Sequence, residues 1–141
     1  MFYKAFKILL HISLVLTLSL PVQVQAGTTT VQVKVTLTSV ELVENNSVGN
    51  EWVTIGYVNG KEIEVNSPTT LKLKSSDTIK LKAYAEEQDK VPDKNAKEIT
   101  VKVSSIKKSL DKPITVTVKE NRGRYSGNTA EWKFTFKIEK G

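Results

Sequence analysis

The chain of 141 residues contains no cysteine. No disulfide can staple it, so its stability has to come from a buried core. It has one histidine and one methionine, His11 and Met1, and both fall in the first 26 residues. Those residues read MFYKAFKILLHISLVLTLSLPVQVQA, with Lys4 and Lys7 first, an apolar run from Ile8 to Leu20, and Pro21 as a breaker. Val24 and Ala26 then place small side chains where a signal peptidase reads them. The layout is that of a cleaved signal peptide over residues 1–26, leaving a mature chain of 27–141. The apolar run is shorter than the roughly 20 residues of a membrane-spanning helix, so no transmembrane segment is expected after cleavage. The mature chain then lacks Cys, His and Met altogether. That excludes the usual zinc ligands and any Ser-His or Cys-His nucleophile pair. Copper and haem lose their usual ligands too. A secreted domain without cysteine fits export by a bacterium better than a disulfide-stapled extracellular module.

Charge of one sign is also scarce. The whole chain carries +6, and Lys4 and Lys7 leave with the signal, so the mature part is only mildly basic. Its lysines alternate along apolar runs, as in LKLK and KLKAY, with acids interspersed. That is the pattern of a solvated sheet face. The sharper alternative is attraction to an anionic cell-wall polymer or to lipid head groups. Nothing in the pattern points to nucleic acid.

Strict alternation dominates what is there. TVQVKVTL sets Val31, Val33, Val35 and Leu37 against Gln32, Lys34 and Thr36, and past Ser39 the parity switches to Val40 and Leu42. One inserted residue does this, which predicts a β-bulge near Thr38 or Ser39. WVTIGYV puts Val53, Ile55 and Tyr57 on one face, and Asn59-Gly60 after it is a strong hairpin signal. KEIEV, TLKLK, TIKLKAYA, EITVKV and ITVTVK supply further strands, with Ser75-Ser76-Asp77 as a turn. SSIKKSLDKP, Ser104 to Pro113, reads as one helical turn before the proline. EWKFTFKI closes the chain with Trp132, Phe134, Phe136 and Ile138 facing inward. The sum is an all-β chain, a single antiparallel β-sandwich of about eight strands over 27–141.

Two polar loops stand out. VENNSVGNEW offers Glu44, Asn45, Asn46, Asn50 and Glu51 around Gly49, and EEQDKVPDKN offers Glu87, Asp89 and Asp93. If the strands before them run the same way, both loops emerge at one end. Six to eight oxygens are what calcium takes, and oxygen is all these loops supply. The same residue types are also those of ordinary exposed turns. The order of strand, glycine-bearing polar loop and strand, then strand, E-x-D-x-x-x-D loop and strand, resembles a C2-like sandwich, with an immunoglobulin-like sandwich as the other form of the fold. Val33 to Val58 match the first part and Leu71 to Val103 the second. The resemblance implies a calcium or lipid-binding end with Glu44, Asn46, Glu51, Glu87, Asp89 and Asp93 as ligands. Asparagines stand where that family has aspartates in the first loop, Glu87 takes the place of an Asp, and Lys90 and Lys94 intrude in the second.

Three functions follow. The first is a secreted, non-enzymatic binding module at the cell wall or cell surface, its partner a wall polymer, lipid or another surface protein. The second is sugar hydrolysis by Glu87 and Asp89, for which so short a chain offers little room for a walled cleft. The third is a structural or assembly role in the matrix or envelope with no ion site, since TVQVKVTL is long and flat enough to pair at an edge. Trp52, Tyr57, Tyr84 and Tyr125 fall outside the core alternation. An exposed Trp52–Tyr125 cluster favours recognition of a partner; the plainer expectation is that Trp52 covers the sandwich end. Asn45-Asn46-Ser47 matches a glycosylation acceptor.

Overall fold

The computed structural model describes residues 29–141, so the expected signal peptide, 1–26, lies outside the described residues. The strands are β1 (Thr30–Asn45), β2 (Trp52–Val58), β3 (Lys61–Ile63), β4 (Thr69–Lys74), β5 (Thr78–Glu87), β6 (Asp93–Lys102), β7 (Ser109–Lys119) and β8 (Thr129–Lys140). They form two antiparallel sheets ordered β4-β1-β8-β7 and β3-β2-β5-β6. The molecule is the eight-stranded all-β sandwich that the alternation predicts. Among the described residues no helix is long and apolar enough to cross a membrane.

The local signals explain the elements. Asn59 and Gly60 have φ of 50° and 79°, the paired positive values of a tight hairpin turn. The register of β1 against β8 slips between Leu37 and Ser39, where the parity of the sequence switches. A second slip between Leu42 and Glu44 leaves Val43 half exposed. The helical turn expected between Ser104 and Pro113 is absent. A single 3-10 turn occupies Val103–Ser105, and Ser109 to Pro113 are already strand. Pro113 is tolerated there because β7 is an edge strand, bonded to β8 on one side only. TVQVKVTL is not an edge. It lies in the interior of its sheet, with β4 on one flank and β8 on the other.

The core lies between the sheets. Val33, Val35 and Leu37 of β1, Ile79, Leu81, Ala83 and Ala85 of β5, and Ile114, Val116 and Val118 of β7 meet Phe134, Phe136 and Ile138 of β8. All three of the β8 side chains are fully buried, while Trp132 on the same face is partly covered. The surprise is β2. Its Val53, Ile55 and Tyr57 face outward, and Gly56 and Val58 face the core. A Cβ on Gly56 would stand 2.7 Å from Leu37 Cδ2 and 3.5 Å from the Phe136 ring, so the large side chains of one sheet settle onto a position left bare in the other.

Candidate functional site

β1, β5 and β7 end at the same pole of the sandwich, and the three loops that follow them are tied together. The Gln88 amide donates to the Glu51 carbonyl at 2.6 Å, and the Asn46 amide donates to Thr129 at 3.0 Å. The two acidic loops picked out in the sequence therefore do emerge together.

Several of their oxygens are engaged within the loops. Asn45 Oδ1 accepts the Val48 amide at 3.0 Å while its Nδ2 donates to the Gly49 carbonyl at 2.7 Å, which folds Val48 inward. Glu44 accepts a hydrogen bond from Asn46 Nδ2 at 2.8 Å, on an exposed stretch of chain. Asp89 Oδ1 accepts the Val91 amide at 2.6 Å. Glu51 contributes its carbonyl to Gln88.

Glu87 and Asp93 are the two buried charged side chains, at 4% and 7% exposure. Their burial follows from parity. Ile79, Leu81, Ala83 and Ala85 point inward along β5, and Glu87 is the next position on that face. Asp93 is its direct partner across β6. Asn121 from the third loop donates Nδ2 to Asp93 Oδ1 at 2.7 Å. Glu87 accepts the Asp89 amide at 3.1 Å and lies against Gly49, where a Cβ would overlap its carboxylate. Gly49 also holds φ at +142°, so glycine is required there twice over. Burial first, and the nearby Asp89 carboxylate second, push the Glu87 pKa above its ordinary value; Glu120 and Glu51 add to this.

Of the residues implied as calcium ligands, the fold therefore gathers Glu51, Glu87 and Asp89. Asp93 is taken up by Asn121, and Glu44 and Asn46 bond each other. Among the described residues no three Asp or Glu side chains are placed to hold one ion. Asn121 and Glu120 complete this pole, yet as single polar residues in a turn they give no signal in sequence.

The aromatics divide. Trp52 lies 5.5 Å from Trp132, tilted by 60°, and its Nε1 donates to the Gly49 carbonyl at 3.2 Å, so it closes the sandwich end. Trp132 Nε1 is buried without a partner. Tyr125 is half exposed with the Arg124 guanidinium 5.9 Å from its ring. A second group forms on the outer face of the β3-β2-β5-β6 sheet. There Val53 faces Glu86, Ile55 faces Tyr84 and Tyr57 faces Lys82. The Lys82 ammonium sits 5.1 Å over the Tyr57 ring. The Tyr84 hydroxyl donates to Glu86, and that bond, with burial as the second cause, pushes the phenol up to about 12.

The outer face of the other sheet has no such apolar group. Thr36, Lys133, Thr135 and Lys137 line it, and Glu139 bridges Lys34 at 2.9 Å and Lys137 at 3.2 Å. The hydrogen bond from Lys34, then that from Lys137, hold the Glu139 carboxyl below its usual range. Near its end lies a shallow, open depression of about 240 Å³ along Gln32, Lys34, Thr70 and Glu139. Small-molecule sites typically enclose about 300–1,000 Å³. Set against known proteins, the chain matches no protein-family model and no curated protein.

Proposed function

We propose that the mature chain is a secreted, non-enzymatic β-sandwich module that binds another protein at a bacterial cell wall or cell surface. The observation that carries this is the outward apolar group of Val53, Ile55, Tyr57 and Tyr84 on β2 and β5. Alternating strands normally turn their apolar side chains to the core, and in β2 Val53, Ile55 and Tyr57 are turned to water instead. Val53 is 38% exposed and the other three are half-buried, with Glu86, Lys82, Lys94 and Glu98 around them. An apolar and tyrosine-rich centre with a charged rim has the anatomy of a protein interface. This reading does without calcium, since among the described residues no three acidic side chains are grouped to hold one ion.

The experiment is adsorption of labelled protein to isolated cell envelopes. Val53→Asp combined with Tyr57→Ala is expected to lower the affinity at least tenfold while the melting curve stays close to wild type, since both side chains face outward. Protease treatment of the envelopes is expected to abolish binding. Undiminished binding by the double variant would refute the assignment of this face. A wild-type dimer in sedimentation, dissolved by the same variant, would replace it with self-assembly.

A further inference from the structure

Lysines without ion-pair partners among the described residues collect at one end of the strand axis. At the pole opposite the three loops lie the turn at Asn59-Gly60, the turn Ser75-Ser76-Asp77, the segment from Val103 to Lys108, and the end of β8. Lys61, Lys72, Lys74, Lys102, Lys107 and Lys108 gather there, all exposed. None of the six has an ion-pair partner among the described residues. Asp77 in the second turn accepts the Lys74 backbone amide at 2.7 Å, and the exposed Glu62 beside Lys61 is the nearest other acid in sequence. The far pole holds Glu51, Glu87, Asp89 and Glu120 together with Lys90, Lys94, Arg122 and Arg124, so its charges of both signs are mixed.

The separation is long enough to matter. β5 joins the poles and has ten residues, about 30 Å at 3.3 Å per residue. The Debye length at physiological salt is about 8 Å. An anion at the lysine pole therefore does not feel the acids of the loop pole.

We infer that this pole is a binding surface for a linear polyanion of repeated phosphodiester groups. Lysine ammonium groups are compact point charges that satisfy successive phosphates without fixing their geometry, unlike the bidentate fork of arginine. The described arginines, Arg122 and Arg124, are both at the other pole. Ser75, Ser76, Ser104 and Ser105 add exposed hydroxyl donors between the lysines. A lipid bilayer is the less suitable partner. The exposed large apolar side chains are Leu42, Val43, Val53, Val65, Val91 and Tyr125, and none belongs to the turns of this pole. The surface is distinct from the Tyr57–Tyr84 face and does not depend on its role.

The test uses mature protein and fluorescent poly(glycerol phosphate). Binding is expected to weaken linearly in log–log form as salt rises, because counterions are released from the polymer. Lys102→Gln/Lys107→Gln/Lys108→Gln is expected to lower affinity at least tenfold at low salt. With about 0.7 of a counterion released per phosphate contact, its salt slope should fall by about two. Lys90→Gln/Lys94→Gln, at the loop pole, is expected to bind like wild type. If the triple variant fails to fold in a thermal scan, Lys61→Gln/Lys74→Gln serves instead, with a slope smaller by about one. Equal losses from the two poles would mean that net charge alone acts and would overturn the inference. So would absence of binding, or tighter binding to phosphatidylglycerol vesicles than to polymer at equal phosphate, which would make a lipid surface the partner.

Discussion

Gly56→Ala adds one methyl group at the tightest contact between the sheets. The new Cβ would meet Leu37 Cδ2 at 2.7 Å. Ordinary carbon contacts lie at about 3.5–4.0 Å, so something has to move by close to 1 Å. Leu37 is 2% exposed and Phe136 is fully buried, so neither can swing into solvent. Overpacking of this kind costs about 1–3 kcal/mol. Alanine also stiffens the unfolded chain, which returns about 0.4–1 kcal/mol, because Gly56 does not need positive φ. The net expectation is a loss of roughly 0.5–2 kcal/mol. For a domain of this size that lowers Tm by about 2–8 °C. Urea unfolding followed by tryptophan fluorescence gives the free energy directly, since Trp52 and Trp132 sit at the end of the same core. Leu37→Ala alone should cost about 2–5 kcal/mol. The double variant should cost at least about 0.5 kcal/mol less than the sum, because the added methyl then enters the space vacated by leucine. A Gly56→Ala protein as stable as wild type, with strictly additive effects, would show that β2 does not lie under Leu37 and that its phase is wrong.

Three further expectations concern single residues. Glu87→Gln should make the folded state more stable at neutral pH. The raised pKa means that ionisation is disfavoured in the fold, so wild-type stability is fully present below the ordinary value of 4.5 and is lost as pH rises through the higher folded value. The stability gap between variant and wild type should therefore close as pH falls towards 4, and a gap independent of pH in chemical denaturation would show that Glu87 is not strained by its charge. Phe134→Ala should cost about 3–5 kcal/mol, lowering Tm by more than 10 °C; an unchanged melting curve would contradict its complete burial. Several millimolar calcium should leave Tm at the value of an ionic-strength control, because no three acidic side chains are grouped to hold one ion among the described residues. A calcium-specific rise that Asp89→Asn removes would show that the loops rearrange to make a site.

Alternation carries most of the fold into the sequence, and it carries it unevenly. β8 is legible because Phe134, Phe136 and Ile138 are large, and only one face could bury them. The bulge after Leu37 is legible because an inserted residue reverses parity. β2 is harder, since Val53, Ile55 and Tyr57 occupy the face turned to water. The core face is marked by Gly56, which gives no hydrophobic signal at all. Pro113 masks the start of β7 because the rule against proline in strands does not hold at an edge. At the loop pole the acidic residues are visible in sequence, but not what they do. Whether Asp89 binds an ion or the Val91 amide depends on a turn of a few residues, and Asp93 is captured by Asn121 from 28 positions away. Long-range capture of that kind leaves no periodicity to detect. The depth of Glu87, by contrast, could have been read by extending the β5 parity two residues past Ala85.

Pro113 has one more consequence. A domain with no disulfide relies on its core alone to stay folded, and a sheet that lengthens by adding neighbours can become a fibril. Among the described residues β7 is the longest edge strand, eleven residues with a ladder to β8 alone and one side-chain bond from Asn95 to the Thr117 carbonyl. Near its middle Pro113 has no N–H to offer, so a second chain laid alongside would find the bonding row broken and could not zip past it. Replacing it would leave the native fold almost untouched and open a seam for fibril growth, with solubility after prolonged storage as the property at stake.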